Sequence, residues 1–137
     1  MKTKEEIVTN WLPRYTDTPV EAFGKYILLT NFISYVHDFA RMENAEIRGL
    51  HRPMQTVTSE DGITLVNFGM GSPNAATVCD LRSVVSPQTV LLLGRCGGLK
   101  EEVPAPRIYR VDAPSFGAGG ALAADLKIVV GQVAPGL

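Results

Sequence analysis

A chain of 137 residues with 45% apolar and 20% charged side chains has the material for one buried core, which excludes a disordered or fibrous protein. A formal net charge of −1 leaves no basic face for a nucleic acid or an anionic membrane. No apolar run reaches the roughly 18 residues of a membrane span, and the opening MKTKEEIVTNW lacks a signal-peptide core, so the sequence points to the cytoplasm.

In chain order, TKEEIVTNWL predicts a helix, with Ile7, Val8, Trp11 and Leu12 at helical spacing behind a threonine cap and Pro13 as its end. YTDTPVEAFG turns into a short helical segment. KYILLTNF is an unbroken apolar run of strand length and predicts a buried strand. ISYVHDFARME follows as an amphipathic helix with Ile33, Val36 and Ala40 on one face, and the chain turns at Asn44. GITLVNFGMG is a second strand, introduced by Asp-Gly turn chemistry. The helix NAATVCDLRSVV closes near Pro87, and TVLLLGRCGGL is a third strand ending in glycines. Strand, helix, strand, helix, strand describes an α/β layer with largely parallel strands over residues 1–100. Residues 101–137 change character, becoming rich in Gly, Ala and Pro, with RIYRV and LKIVV as strand candidates. They either add edge strands to the same domain or form a loosely attached tail.

Each strand ends in a polar or glycine-rich turn: TNF, GMGSPN and GRCGGLK. In an open parallel sheet these turns share the carboxyl edge, where ligands bind. A turn without side chains lets backbone N–H groups approach a ligand, and a following helix N-terminus favours negative charge. Arg95, between Gly94 and Cys96, offers a fixed cation for a phosphate. Neither glycine turn is a Walker loop or a dinucleotide fingerprint. Cys79 and Cys96 are too few and too far apart for a metal knuckle or a redox pair and read as buried thiols, while His37 and His51 lack metal-ligand spacing.

YILLTNF, RPMQ, DGITLVNFGMGSPNAAT and VLLLGRCGGLK, taken together from about Lys4 to Lys100, resemble the AMP nucleosidase branch of the nucleoside phosphorylase and nucleosidase superfamily. The patterns GMGxxNAA and GxCGGL belong to the wider superfamily, whereas RxMQ, LTNF and the lysine after CGGL point to the AMP-cleaving branch. The resemblance implies a nucleoside phosphorylase-like sheet with flanking helices, of which this chain spans the first half. It implies a homo-oligomer that hydrolyses the N-glycosidic bond of AMP, or a related purine nucleotide, to adenine and ribose 5-phosphate without a metal or other cofactor.

Carried over by position, the resemblance puts Gly69, Met70 and Gly71 beside the ribose, and Thr30 and Asn31 at the first-strand end of the pocket. Arg95, Cys96, Gly97 and Gly98 form the loop that holds phosphate in related phosphorylases and the attacking water in related nucleosidases. Arg52 stands near an anionic group, across a subunit boundary. Phosphorylases carry an arginine two residues before the loop glycine; Leu92 stands there, which favours water as the nucleophile. The family's SD and MET segments, which protonate the base and hold the ribose, do not occur. VDAPSFGAGG only faintly echoes a family segment, with Phe116 and Ala118 at its Arg and Glu positions, and neither Asp112 nor Asp125 qualifies as the acid. The catalytic acid is therefore unassigned. Two further readings stay open: a catalytically silent, truncated relative that keeps nucleotide binding or assembly surfaces, and a nucleoside phosphorylase.

Overall fold

The computed structural model describes residues 1–97, 108–111 and 126–134. The elements are α1 (Lys4–Thr16), a 3-10 turn (Val20–Ala22), β1 (Tyr26–Thr30), α2 (Ile33–Glu43), β2 (Gln55–Thr58), β3 (Ile63–Asn67), α3 (Ser72–Cys79), α4 (Arg82–Val85), β4 (Thr89–Gly97), β5 (Ile108–Val111) and β6 (Leu126–Ala134). One sheet contains the strands in the order β2-β3-β1-β4-β6-β5. β1 runs parallel to both β3 and β4, with Thr30 opposite Asn67 on one side and Leu93 on the other. β6 extends the parallel set beside β4, and β2 and β5 are antiparallel at the two edges.

Alternation along the central strands divides the core between two faces. Ile27, Leu29, Val66 and Val90 pack with Val8, Leu12, Val78 and Leu81 of the helices on one side. Leu28, Leu65 and Leu93 face Val36, Tyr35 and Phe39 of α2 on the other, together with Val57. Burial on both faces is why YILL and VLLL read as continuous apolar runs.

The sequence predicted three strands up to Lys100, and β2 is an addition. Its QTVT carries a single aliphatic residue, and its pairing comes from β3: Val57 lies opposite Leu65, and the Thr58 and Thr64 hydroxyls meet at 2.9 Å. Thr56 is buried and shares a 2.6 Å hydrogen bond with the Thr18 hydroxyl. Polar side chains thus replace apolar ones where β2 meets the turn after α1.

α1 begins with a capping box: Thr3 Oγ1 accepts from the Glu6 N–H at 3.2 Å, and the Thr3 N–H donates to Glu6 at 2.9 Å. Its buried stripe is Val8, Leu12 and Thr16, spaced by four, which leaves Ile7 50% exposed rather than in the core. Pro13 does not end the helix. Proline removes one donor, but the next turn recovers bonding: Thr16 Oγ1 donates to Leu12 O at 2.7 Å and Asp17 N–H to Pro13 O at 2.8 Å. The end is Asp17, in the left-handed region at φ 56°. Ile33, expected on the buried face of α2, is exposed, and Val36, Phe39 and Ala40 carry the contact. The helix predicted over residues 74–85 is two helices, because Asp80 and Leu81 bond to Thr77 and Val78 three residues back and tighten the chain.

Cys79 is a buried free thiol, and burial raises its pKa, with Asp80 adding to the rise and Arg82 opposing it. In native protein at pH 8, Cys79 resists iodoacetamide and becomes labelled only in denaturant, as peptide-level mass spectrometry would show. Leu12→Ala should cost about 2–5 kcal/mol, whereas Ile7→Ala should stay within about 0.5 kcal/mol; urea titrations of both variants provide the comparison.

Candidate active site at the carboxyl edge of the sheet

The shared register ends β1 and β3 level with Leu93, while β4 runs on to Gly97, so the turns after Thr30 and Asn67 open beside Gly94 and Arg95, which belong to strand β4 and not to the turn the sequence predicted there. Thr30 is fully buried. Its hydroxyl accepts from the Phe32 N–H at 3.2 Å and its carbonyl from the Phe68 N–H at 3.0 Å, tying the first turn to the second. Asn31 beside it is exposed.

The second turn needs its glycines for backbone reasons. Gly69 has φ 76°, and Gly71, the cap of α3, has φ 95° and ψ 153°, a region only glycine occupies without strain. The turn is held from both sides. Asn67 Oδ1 accepts from the Gly69 N–H at 3.2 Å, and Asn74 Nδ2 donates to Met70 O at 3.1 Å. Met70 is 82% exposed, so its side chain belongs to no core and stands out at this edge. α3 follows with Pro73 in its first turn, and its N-terminal dipole points at the same edge.

Arg95 lies where the β4–β6 ladder shifts register, between Gly94 and Cys96. Its Nε donates to Tyr35 Oη at 3.1 Å, and its guanidinium lies 4.6 Å from the Phe32 ring centroid and 5.0 Å from that of Tyr35. The two rings are themselves 5.5 Å apart. An exposed arginine is thus oriented by two aromatics at the start of α2. Among the described residues no carboxylate forms an ion pair with it. Below it runs an apolar cleft of about 480 Å³ lined by Leu28, Phe39, Leu65 and Leu93. Cys96 and Gly97 continue β4, and Gly98 lies outside the described residues.

Arg52 sits elsewhere. It precedes β2, faces Asp17 at 4.0 Å and opens onto a polar cleft of about 650 Å³ shared with Glu46, Arg48 and His51. β2 and β4 are three strand steps apart in the sheet, roughly 14 Å. The two arginines therefore stand on opposite flanks of the central strands β3 and β1. Arg52 is nevertheless linked to the glycine turn: Gln55 Nε2 donates to the Arg52 carbonyl at 2.8 Å, and Gln55 Oε1 accepts from Asn67 Nδ2 at 2.7 Å.

Sequence reasoning missed Phe32, Tyr35, Gln55 and Asn67. A signal existed for the first pair, aromatics three apart at the start of an amphipathic helix next to a turn. Gln55 and Asn67 are twelve residues apart and meet only through β2–β3 pairing. Among the described residues no group of three His, Cys, Asp or Glu side chains is placed to hold a metal, and no helix is long and apolar enough to cross a membrane.

No protein-family profile matches the chain. AMP nucleosidase of Escherichia coli strain K12 is 32% identical, over 66% of this chain and 26% of its own length. The crystal structure of AMP nucleosidase from Bacteroides thetaiotaomicron VPI-5482 is 54% identical, with a TM-score of 0.68, over 72% of this chain and 42% of that one. This chain resembles the AMP nucleosidases. Purine nucleoside phosphorylase from Toxoplasma gondii, at 16% identity and a TM-score of 0.55 over 70% of this chain, shares the fold alone. The architecture is therefore nucleoside phosphorylase-like, with helices flanking the sheet, and the chain spans about a quarter of the E. coli AMP nucleosidase and less than half of the Bacteroides one.

The strained turn gives a direct test. Gly71→Ala should cost about 1–3 kcal/mol. Gly94→Ala should be tolerated, since a Cβ there meets nothing within 4 Å among the described residues. Comparing urea midpoints checks both.

Proposed function

We propose that this chain acts on AMP as a nucleosidase, releasing adenine and ribose 5-phosphate with water as the nucleophile. The observation that carries this reading is 54% identity to an AMP nucleosidase across 72% of the chain. The Gly69–Met70–Gly71 turn borders the ribose, with Thr30, Asn31 and the Cys96–Gly97–Gly98 segment around it. Arg95 takes the phosphate, and Arg52 serves an anionic group from the other flank of the sheet.

Physical features of the edge support these roles. Cleaving a ribosyl bond builds positive charge on the sugar, and a site for it must hold the substrate rigidly. The aromatic seat fixes the Arg95 side chain through Nε and leaves its terminal nitrogens for a bidentate contact with phosphate oxygens. Leu92, where phosphorylases carry an arginine, packs against the α1-side core, which supports water over phosphate as the attacking group. The reading includes a homo-oligomer in the cytoplasm, with no metal or cofactor in the reaction. The apolar cleft beside α2, open among the described residues, and the exposed Met42 support self-association.

The test is adenine release from AMP, followed by chromatography with and without phosphate. Phosphate-independent release is expected. Strictly phosphate-dependent release would assign a phosphorylase, and AMP binding without release would assign a catalytically silent binder. Arg95→Ala should weaken AMP binding about 10- to 100-fold, and Arg95→Lys should recover only part of that. Adenosine, lacking phosphate, should bind wild type and Arg95→Ala equally. Calorimetry decides it, and unchanged AMP affinity in Arg95→Ala would remove the phosphate role.

A further inference from the structure

A chain of side-chain amides crosses from β2 to β3 beneath the candidate site. It starts at the Gly69 N–H, which donates to Asn67 Oδ1 at 3.2 Å. Asn67 Nδ2 donates to Gln55 Oε1 at 2.7 Å. Gln55 Nε2 then donates to the carbonyls of Arg52 at 2.8 Å and Gly49 at 3.2 Å. Asn67 is 7% exposed, so its amide has little access to water as an alternative partner.

The backbone at both ends dictates how the two amides are oriented. Two carbonyls at the Arg52 end require the NH₂ group of Gln55, which turns its oxygen toward Asn67. That oxygen requires the Asn67 NH₂, which leaves the Asn67 oxygen for the Gly69 N–H. Flipping Asn67 would set like groups against each other at two contacts, and flipping Gln55 at three. The segment carrying Arg52 is itself anchored: Met54 N–H donates to Tyr15 O at 2.9 Å, and Arg48 and Thr56 exchange backbone bonds at 2.9 and 3.0 Å. The amide chain therefore connects an anchored loop to a turn whose glycines leave it few contacts of its own.

We propose that Gln55 and Asn67 are positioning residues, forming a relay through which the Arg52 segment sets the conformation of the Gly69–Met70–Gly71 turn. The proposal deepens the nucleosidase reading and rests on it for the ligand. It implies that a change at Gln55 alters binding of the sugar even when the ligand carries no phosphate, because bonds in such a chain reinforce one another.

Two variants cut the relay at different points. Gln55→Met removes all three of the glutamine's side-chain hydrogen bonds at similar length and leaves the Asn67–Gly69 bond in place. Asn67→Asp keeps the acceptor for the Gly69 N–H and loses the donor to Gln55. Each should lower adenosine affinity by about two- to tenfold, and the double variant should be no weaker than the weaker single. Hydrogen exchange measured on the unliganded protein should show the Gly69 amide exchanging faster in Gln55→Met, although its own acceptor is untouched. A Gly69 exchange rate equal to wild type in Gln55→Met, or affinity losses that add in the double variant, would overturn the relay. Exchange also reports which regions remain protected, so a variant that fails to fold is recognised by loss of protection throughout β1, β3 and β4. A wild-type protein that binds neither adenosine nor AMP would overturn the nucleosidase reading, and the exchange result would then decide the relay by itself.

Discussion

Parallel pairing of β1 with β3 on one side and β4 on the other sets everything else in the structure. A parallel ladder aligns strands of one polarity, so Thr30, Asn67 and Leu93 come to the same level and the turns after Thr30 and Asn67 open on one edge beside Gly94 and Arg95 of β4. The same pairing forces burial on both faces, since crossover helices must lie over the sheet. The two core clusters, one against α1 and α4 and one against α2, are its direct consequence. Moving one strand by a single residue would turn its aliphatic side chains to the opposite face and shift the two turns out of line with Arg95.

The antiparallel edge is held differently. β2 is short, and threonine hydroxyls rather than aliphatic contacts secure much of it: Thr18 with Thr56, and Thr58 with Thr64, which also accepts from the Gly24 N–H at 2.8 Å. A hydroxyl can donate or accept, which lets buried polar positions remain satisfied; no buried side-chain N or O atom among the described residues lacks a partner. Such a network costs less than unpaired polar burial and specifies register, because a threonine displaced by one position loses its partner. The edge strand is thereby fixed well enough to carry the Arg52 segment at a constant distance from the central strands.

The candidate site then has two differently built flanks. On the α2 flank, Phe32 and Tyr35 orient Arg95 through ring faces and one hydroxyl. On the β2 flank, a polar cleft surrounds Arg52, and side-chain amides connect it to the glycine turn. Between them lies the turn itself, which has backbone groups and the α3 dipole but little side chain. A nucleoside monophosphate has a matching division into charged, sugar and base parts, and this match, with the resemblance to AMP nucleosidases, is what the proposed function draws on.

The amino-acid sequence by itself determined the central strands, the α/β class and the glycine turns. Those features rest on local signals: unbroken apolar runs at KYILL and TVLLL, a helical period in α1 and α2, and glycines where positive φ is required. Element ends were less legible, since Pro13 sits inside α1 and the chain tightens at Asp80, both settled by hydrogen bonds to neighbouring turns. β2 was not legible at all, because QTVT has no pattern until Leu65 and the Thr18 and Thr64 hydroxyls stand beside it. Only the tertiary structure decided the partners of Arg95 and Arg52. Tyr35 and Arg95 are sixty residues apart, and sheet order, which no local spacing records, seats one arginine against α2 and puts the other three strands away.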